Sequence, residues 1–130
     1  MRKLKFRAWD ILGKRYTYPD VGYQGHFVID LNGRFQNLQN GSGGVEYVVQ
    51  QFTGLKDKNG RDVYEGDIVS KTSKQPGAFS GEIAGEVFYS ENRCAFMIND
   101  VYIASFLNVP ANKEKHTVIG NIFENPDLIK

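Results

Sequence analysis

The chain has 130 residues, 41% of them apolar and 24% charged, the balance of an ordinary folded domain, or of two very small ones, rather than of a disordered segment. Sixteen basic residues against fifteen acidic leave a net charge of +1, so no overall field draws the protein to nucleic acid or to a membrane. One cysteine rules out a disulfide framework, and no apolar run is long enough to cross a bilayer as a helix.

The start, Met1 to Arg7, is basic but lacks the apolar centre of a signal peptide, so the expected location is the cytoplasm. Leu4, Phe6 and Ala8 alternate with Lys3, Lys5 and Arg7, which predicts a strand with one face in and one face out, ending at Trp9-Asp10. Arg2, Lys3, Lys5 and Arg7 then form a basic ladder. Lysines and arginines of this kind solvate an edge strand and discourage edge-to-edge pairing. The alternative is that the ladder, together with Lys71, meets nucleic-acid phosphate, with Tyr and Phe for stacking.

Gly13-Lys14 marks a turn, and Arg15-Tyr16-Thr17-Tyr18 a strand stopped by Pro19-Asp20. Residues 20–25 read as loop. Phe27 to Leu31 is a strand, Asn32-Gly33 a hairpin turn, and Arg34-Phe35-Gln36 the return. The segment from Asn37 to Gly44 is polar and glycine-rich, without phosphate-loop spacing, and reads as a connector. Val45 to Phe52 is a strand by propensity.

The stretch from Gln51 to Val69 organises the rest. Asn59-Gly60 predicts a type I′ hairpin turn, with both residues at positive φ. Lys56, Asp57, Lys58, Arg61 and Asp62 are expected to hold its tip in water, since five unpartnered charges cannot be buried. Glu65-Gly66-Asp67 is a second turn. Gly66 takes a left-handed conformation, and Asp67 accepts backbone N–H groups in an Asx-type arrangement. The structural turn signature is thus Gly54, Asn59, Gly60, Gly66 and Asp67.

Beyond it, Ile68 to Lys71 starts a strand, and residues 72–78, with Pro76-Gly77, form an exposed loop. Strands follow at Gly85 to Tyr89, Ala95 to Ile98 and Val101 to Ala104, with turns at 90–93 and Asn99-Asp100, and a short turn of helix over 102–109. Asn112 to Lys115 reads as a polar turn. His116 to Phe123 is the last strand, where Gly120 implies a bulge or a close backbone approach. Asp127-Leu128-Ile129 makes one helical turn.

No catalytic constellation is legible. Cys94 lies in an apolar run and is expected to be a small buried hydrophobe; His26 and His116 are its only candidate bases, and no spacing links them. Two histidines and one cysteine far apart make no zinc pattern. Asp57-Lys58-Asn59-Gly60 lacks the ligand alternation of a calcium loop. No cofactor, no metal and no enzymatic activity are expected.

Phe52-Thr53-Gly54-Leu55-Lys56-Asp57-Lys58-Asn59-Gly60 followed by Tyr64-Glu65-Gly66-Asp67-Ile68-Val69 resembles the signature of the YopX family. Lys5-Phe6-Arg7-Ala8-Trp9-Asp10 and Val118-Ile119-Gly120-Asn121-Ile122-Phe123-Glu124-Asn125-Pro126 fit the same family in the same order. The resemblance implies a bacteriophage or prophage protein, rich in β structure with an SH3-type barrel, of unknown function. It supplies no catalytic residue.

Short strands at close spacing with repeated turn signals independently predict a mainly β fold closed as a barrel. The expected division is residues 1–44, a β-rich layer or subdomain ending in the glycine-rich loop, and 45–130, a small SH3-like barrel with a short tail. The expected function is a non-enzymatic protein-interaction or self-assembling module in the host cell, its partner a host or phage protein or a second copy. The alternative is a small nucleic-acid-binding barrel.

Overall fold

The structure is a computed structural model that describes residues 3–18, 27–37, 47–73, 81–99, 101–102 and 114–129. Arg2, His26, the loop at 20–25, the glycine-rich segment, Pro76-Gly77 and the helical turn expected within 103–109 lie outside the described residues. So does the side chain of Lys71.

The chain is mainly β. Its elements are β1 (Phe6–Asp10), β2 (Arg15–Thr17), β3 (Phe27–Ile29), β4 (Phe35–Asn37), β5 (Tyr47–Lys56), β6 (Asp62–Tyr64), β7 (Asp67–Ser73), β8 (Gly81–Ser90), β9 (Ala95–Ile98), β10 (Val101–Tyr102), β11 (Glu114–Asn121) and a 3-10 turn (Pro126–Ile129). Glu114 and Lys115, expected in a turn, begin β11 instead. The chain divides into two compact units, Met1–Phe52 and Thr53–Lys130, the division falling within β5.

In the first unit β1 lies between β2 and β5, antiparallel to both. β3 and β4 form a separate hairpin. Ala8, Trp9, Phe35 and Phe52 are buried. Two aromatic pairs fix this packing: Trp9 meets Tyr16 edge-on with ring centroids 5.0 Å apart, and Phe35 tilts against Tyr47 at 4.7 Å. The expected alternation along β1 is broken. Leu4 is exposed and Arg7 is buried, where the Tyr16 ring supplies a face on which its guanidinium packs.

In the second unit β8 is central to a five-stranded sheet of order β10-β9-β8-β7-β11, all neighbours antiparallel. Residues paired across strands share a face. Val118, Val69, Val87 and Ile98 line one face and, with Val63 of β6, form the core against which Leu55 and Phe96 pack. Gly120, Ile68, Glu86, Phe88 and Met97 line the other, since Gly120 pairs with Ile68, Ile68 with Glu86 and Phe88 with Met97. The chain returns over this second face. Asn125 sits on Gly120, and the 3-10 turn lies against β8.

Gly120 sits at a bulge, as expected, and the group that approaches it closely is a side chain. The register slips between Val118 and Gly120, and a Cβ added at Gly120 would stand 2.5 Å from Asn125 Oδ1 and 2.9 Å from its Cβ. Asn125 has no room to yield, because its Oδ1 accepts the Asn121 N–H and its own N–H donates to the Asn121 carbonyl. Gly120→Ala is therefore expected to destabilise the protein by roughly 1–3 kcal/mol, as overpacking does, read from urea unfolding.

Two turns differ from expectation. At Asn59-Gly60 only Gly60 has positive φ, +82°. The Gly60 N–H donates to the Asp57 carbonyl and the Asp57 N–H to the Arg61 carbonyl, so the loop is a type I turn closed by a left-handed glycine rather than type I′. The extra residue lets the Asp57 side chain take the turn's own N–H groups, an option a two-residue loop lacks. Cys94 is not buried. It is exposed, closes the β8–β9 loop at φ 49°, and its Sγ contacts the Glu91 carbonyl at 3.5 Å.

Candidate functional site

Two residues of the central stretch, Asp57 and Lys58, reach the outer edge of β11. Asp57, expected in water, is 7% exposed. Its Oδ1 accepts the N–H groups of Asn59 and Arg61, both at 2.9 Å, and its Oδ2 accepts the Val118 N–H at 3.0 Å. The Lys58 N–H donates to the His116 carbonyl at 3.1 Å. The hairpin tip thus closes two outward-facing backbone groups of an edge strand that would otherwise invite another strand. The remaining tip charges stay outside, where Lys56 pairs with Asp62 at 2.7 Å.

Asp67 was expected to accept backbone N–H groups in an Asx-type turn; the donor it takes lies three residues upstream instead. It is 1% exposed, and its Oδ2 accepts the Tyr64 N–H at 2.8 Å. The turn it closes needs Gly66, whose φ is +81°. The Gly66 N–H donates to the Val87 carbonyl, and its carbonyl accepts the Ile122 N–H. Gly54 has φ +89°; beside it the Thr53 hydroxyl donates to the Val63 carbonyl at 2.7 Å. At the far end of β11, Asn121 Oδ1 accepts the N–H groups of Phe123 and Glu124 and turns the chain back. Buried carboxylates held by backbone donors are scaffold parts.

Of the proposed phosphate-contacting residues, Lys3, Lys5 and Arg7 have described side chains. Lys3 is exposed, Lys5 Nζ lies 5.4 Å from the Phe52 ring centroid, and Arg7 is 2% exposed. The Arg7 Nε donates to Gln50 Oε1 at 2.9 Å, the Tyr16 hydroxyl donates to the same oxygen at 3.0 Å, and the guanidinium carbon stands 4.0 Å from the Tyr16 ring centroid. This is a polar core for the first unit.

His116 is also buried, 6% exposed, and its Nδ1 has no hydrogen-bond partner among the described residues. No sequence signal marked it beyond its residue type. Among the described residues no group of three or more His, Cys, Asp or Glu is arranged to hold a metal. No helix among the described residues is long and apolar enough to cross a membrane.

Glu86 lies on the face beneath the returning chain, and burial raises its pKa above the ordinary value. Between the unfolded and the folded pKa the folded state therefore keeps a proton that the unfolded chain has released. The stabilising contribution is complete at low pH and disappears as pH rises through the folded pKa. Glu86→Gln is expected to melt higher than the parent at neutral pH, with the gap closing below the ordinary carboxylate range, as followed by thermal melts across pH.

The sequence pattern that reveals the tip device is a repeat. Asp30-Leu31-Asn32-Gly33-Arg34 and Asp57-Lys58-Asn59-Gly60-Arg61 share the order Asp-x-Asn-Gly-Arg. In the β3–β4 hairpin Asp30 Oδ1 accepts the N–H groups of Asn32 and Arg34, the Gly33 N–H donates to the Asp30 carbonyl, and the Asp30 N–H to the Arg34 carbonyl. The two turns are copies in chemistry as well as in sequence.

The sequence matches the YopX protein family over residues 5–130. The fold is similar to that of protein EF1440 from Enterococcus faecalis, at 27% identity, a TM-score of 0.64 and 100% coverage of both chains. It is also similar to that of protein yopX from Bacillus subtilis, at 21% identity, a TM-score of 0.59 and 100% coverage of both chains. No curated protein matches the sequence.

Proposed function

The chain belongs to the YopX family of uncharacterised proteins, and from that premise we propose that it is a non-enzymatic interaction module. The observation that carries this reading is the outer face of the second unit. Phe88, Leu128 and Ile129 stay exposed there, beside the buried Ile68 and Met97. Exposed apolar side chains around a buried apolar patch suit a protein partner. Two of the signature carboxylates, Asp57 and Asp67, are engaged by backbone donors, which supports a structural role for them.

The phage or prophage origin, and with it action inside the bacterial host, comes with the family resemblance. The SH3-type reading of the second unit is supported by its short antiparallel strands and by the hairpin tip across the β11 edge. Nucleic acid is the less supported partner, because burial of Arg7 interrupts the basic ladder.

Affinity capture from bacterial extract tests the proposal. The parent chain is expected to retain a defined host or phage protein that a Phe88→Glu, Leu128→Glu double variant loses. Equal retention by both chains, or none by either, would overturn it. Gel shifts on DNA settle the alternative: retention that falls steeply with salt would favour nucleic acid.

A further inference from the structure

The Asp-x-Asn-Gly-Arg device occurs twice, and one copy grips a strand. In the second unit the Lys58 N–H reaches the His116 carbonyl while Asp57 Oδ2 accepts the Val118 N–H. The tip therefore matches a carbonyl and an N–H two residues apart on one strand edge. In the first unit the matching donor is the Leu31 N–H, on a fully exposed residue. The matching acceptor, Asp30 Oδ2, takes a long 3.4 Å contact from Gln36 Nε2. Among the described residues no strand edge is held by this second tip.

The edge that one tip grips also repeats. An antiparallel edge strand turns both its N–H and its C=O outward at every second residue. The bonds at His116 and Val118 place these residues in the outward set, and Glu114 is the preceding member of it. The Glu114 carbonyl and the His116 N–H thus offer the same donor and acceptor at the same spacing as the pair already held.

We propose that the Asp30–Arg34 tip of one copy grips the Glu114 carbonyl and His116 N–H on β11 of a second copy, so that the protein self-associates tip to edge. The Leu31 N–H donates to the Glu114 carbonyl, and Asp30 Oδ2 accepts the His116 N–H. The contact is heterologous, and it closes into a ring or dimer when each copy supplies both a tip and an edge. It rests on the interaction reading above and names a second copy as the partner.

Sedimentation of the full chain from micromolar to millimolar concentration tests it. The parent is expected to associate reversibly. Leu31→Pro removes the donor at the turn position that proline favours, so the turn keeps its shape. That variant is expected to stay monomeric with an unchanged unfolding midpoint. Asp30→Asn keeps an oxygen for the turn but puts an amide donor against the partner's N–H, and is expected to weaken association at least tenfold; it decides the matter if Leu31→Pro does not fold. A parent that is monomeric throughout would overturn the proposal, as would variants that associate as strongly as the parent. Either outcome leaves the capture experiment intact, because that experiment reads Phe88 and Leu128.

Discussion

Asp57→Asn is expected to lower the unfolding free energy by about 2 kcal/mol, the range for a hydrogen bond to a charged group whose partner is then left facing a donor. The asparagine oxygen can replace Oδ1 and keep the N–H groups of Asn59 and Arg61. Its amide then replaces Oδ2 and points a donor at the Val118 N–H, which sat 3.0 Å from the carboxylate. The turn survives and the grip on β11 fails. Asp30→Asn is the matched control. Its Oδ2 loses only the 3.4 Å contact from Gln36, so the dilute protein is expected to change by no more than about 0.5 kcal/mol, as at ordinary surface sites. Urea unfolding of both variants under the same conditions makes the comparison. Equal costs would mean that the β11 contact contributes nothing.

Arg7→Ala carries the other large effect, expected at about 3 kcal/mol. The guanidinium is 2% exposed, bonds Gln50 at 2.9 Å and stacks on Tyr16 at 4.0 Å. A charge-assisted hydrogen bond contributes about 1.5–3 kcal/mol and a desolvated cation–π contact about 2 kcal/mol, partly offset by the cost of desolvating the charge. Trp9 is the chain's only tryptophan and meets Tyr16 at 5.0 Å, so its fluorescence reports unfolding of this unit. Arg7→Lys is expected to recover little, because an ammonium lacks the planar face and the fixed fork. Loss of stability below about 1 kcal/mol in Arg7→Ala would return the residue to the solvated ladder.

Most of the strands were legible in the sequence, because turn residues punctuate it. The Asn-Gly pairs, Gly66 and Gly120 mark breaks that the structure keeps, and β-branched and aromatic runs fill the spaces between them. Faces were harder to read. Alternation along β1 placed Arg7 outward, yet the Tyr16 ring, itself packed on Trp9, gave its guanidinium a floor inside. No local pattern encodes such a floor, because it depends on pairing Trp9 with Tyr16 across a turn. Asp57 shows a similar limit. Its charge argued for water, but three backbone donors, one of them 61 residues away, satisfy the carboxylate when it is buried. Cys94 sat in an apolar run by sequence, but the run starts one residue later, and Cys94 itself closes the turn.

The candidate site was legible only as a set of turn residues. Asn59, Gly60 and Gly66 lie in turns and Asp67 accepts the Tyr64 N–H, whereas Gly54, at positive φ, lies within β5. That these turns serve the β11 edge follows from a contact between distant segments, which spacing alone does not reveal. The repeat of Asp-x-Asn-Gly-Arg was open to reading at the outset, and it separates a tip that holds a strand from one that holds none among the described residues.

Amide hydrogen exchange at the twin tip positions tests most directly whether the signature serves to seal the β11 edge. In dilute protein the Lys58 and Val118 amides are expected to exchange only with the opening of the second unit, whereas the Leu31 amide exchanges near the rate of an open peptide. A Lys58 amide that exchanges as fast as that of Leu31 would contradict the seal.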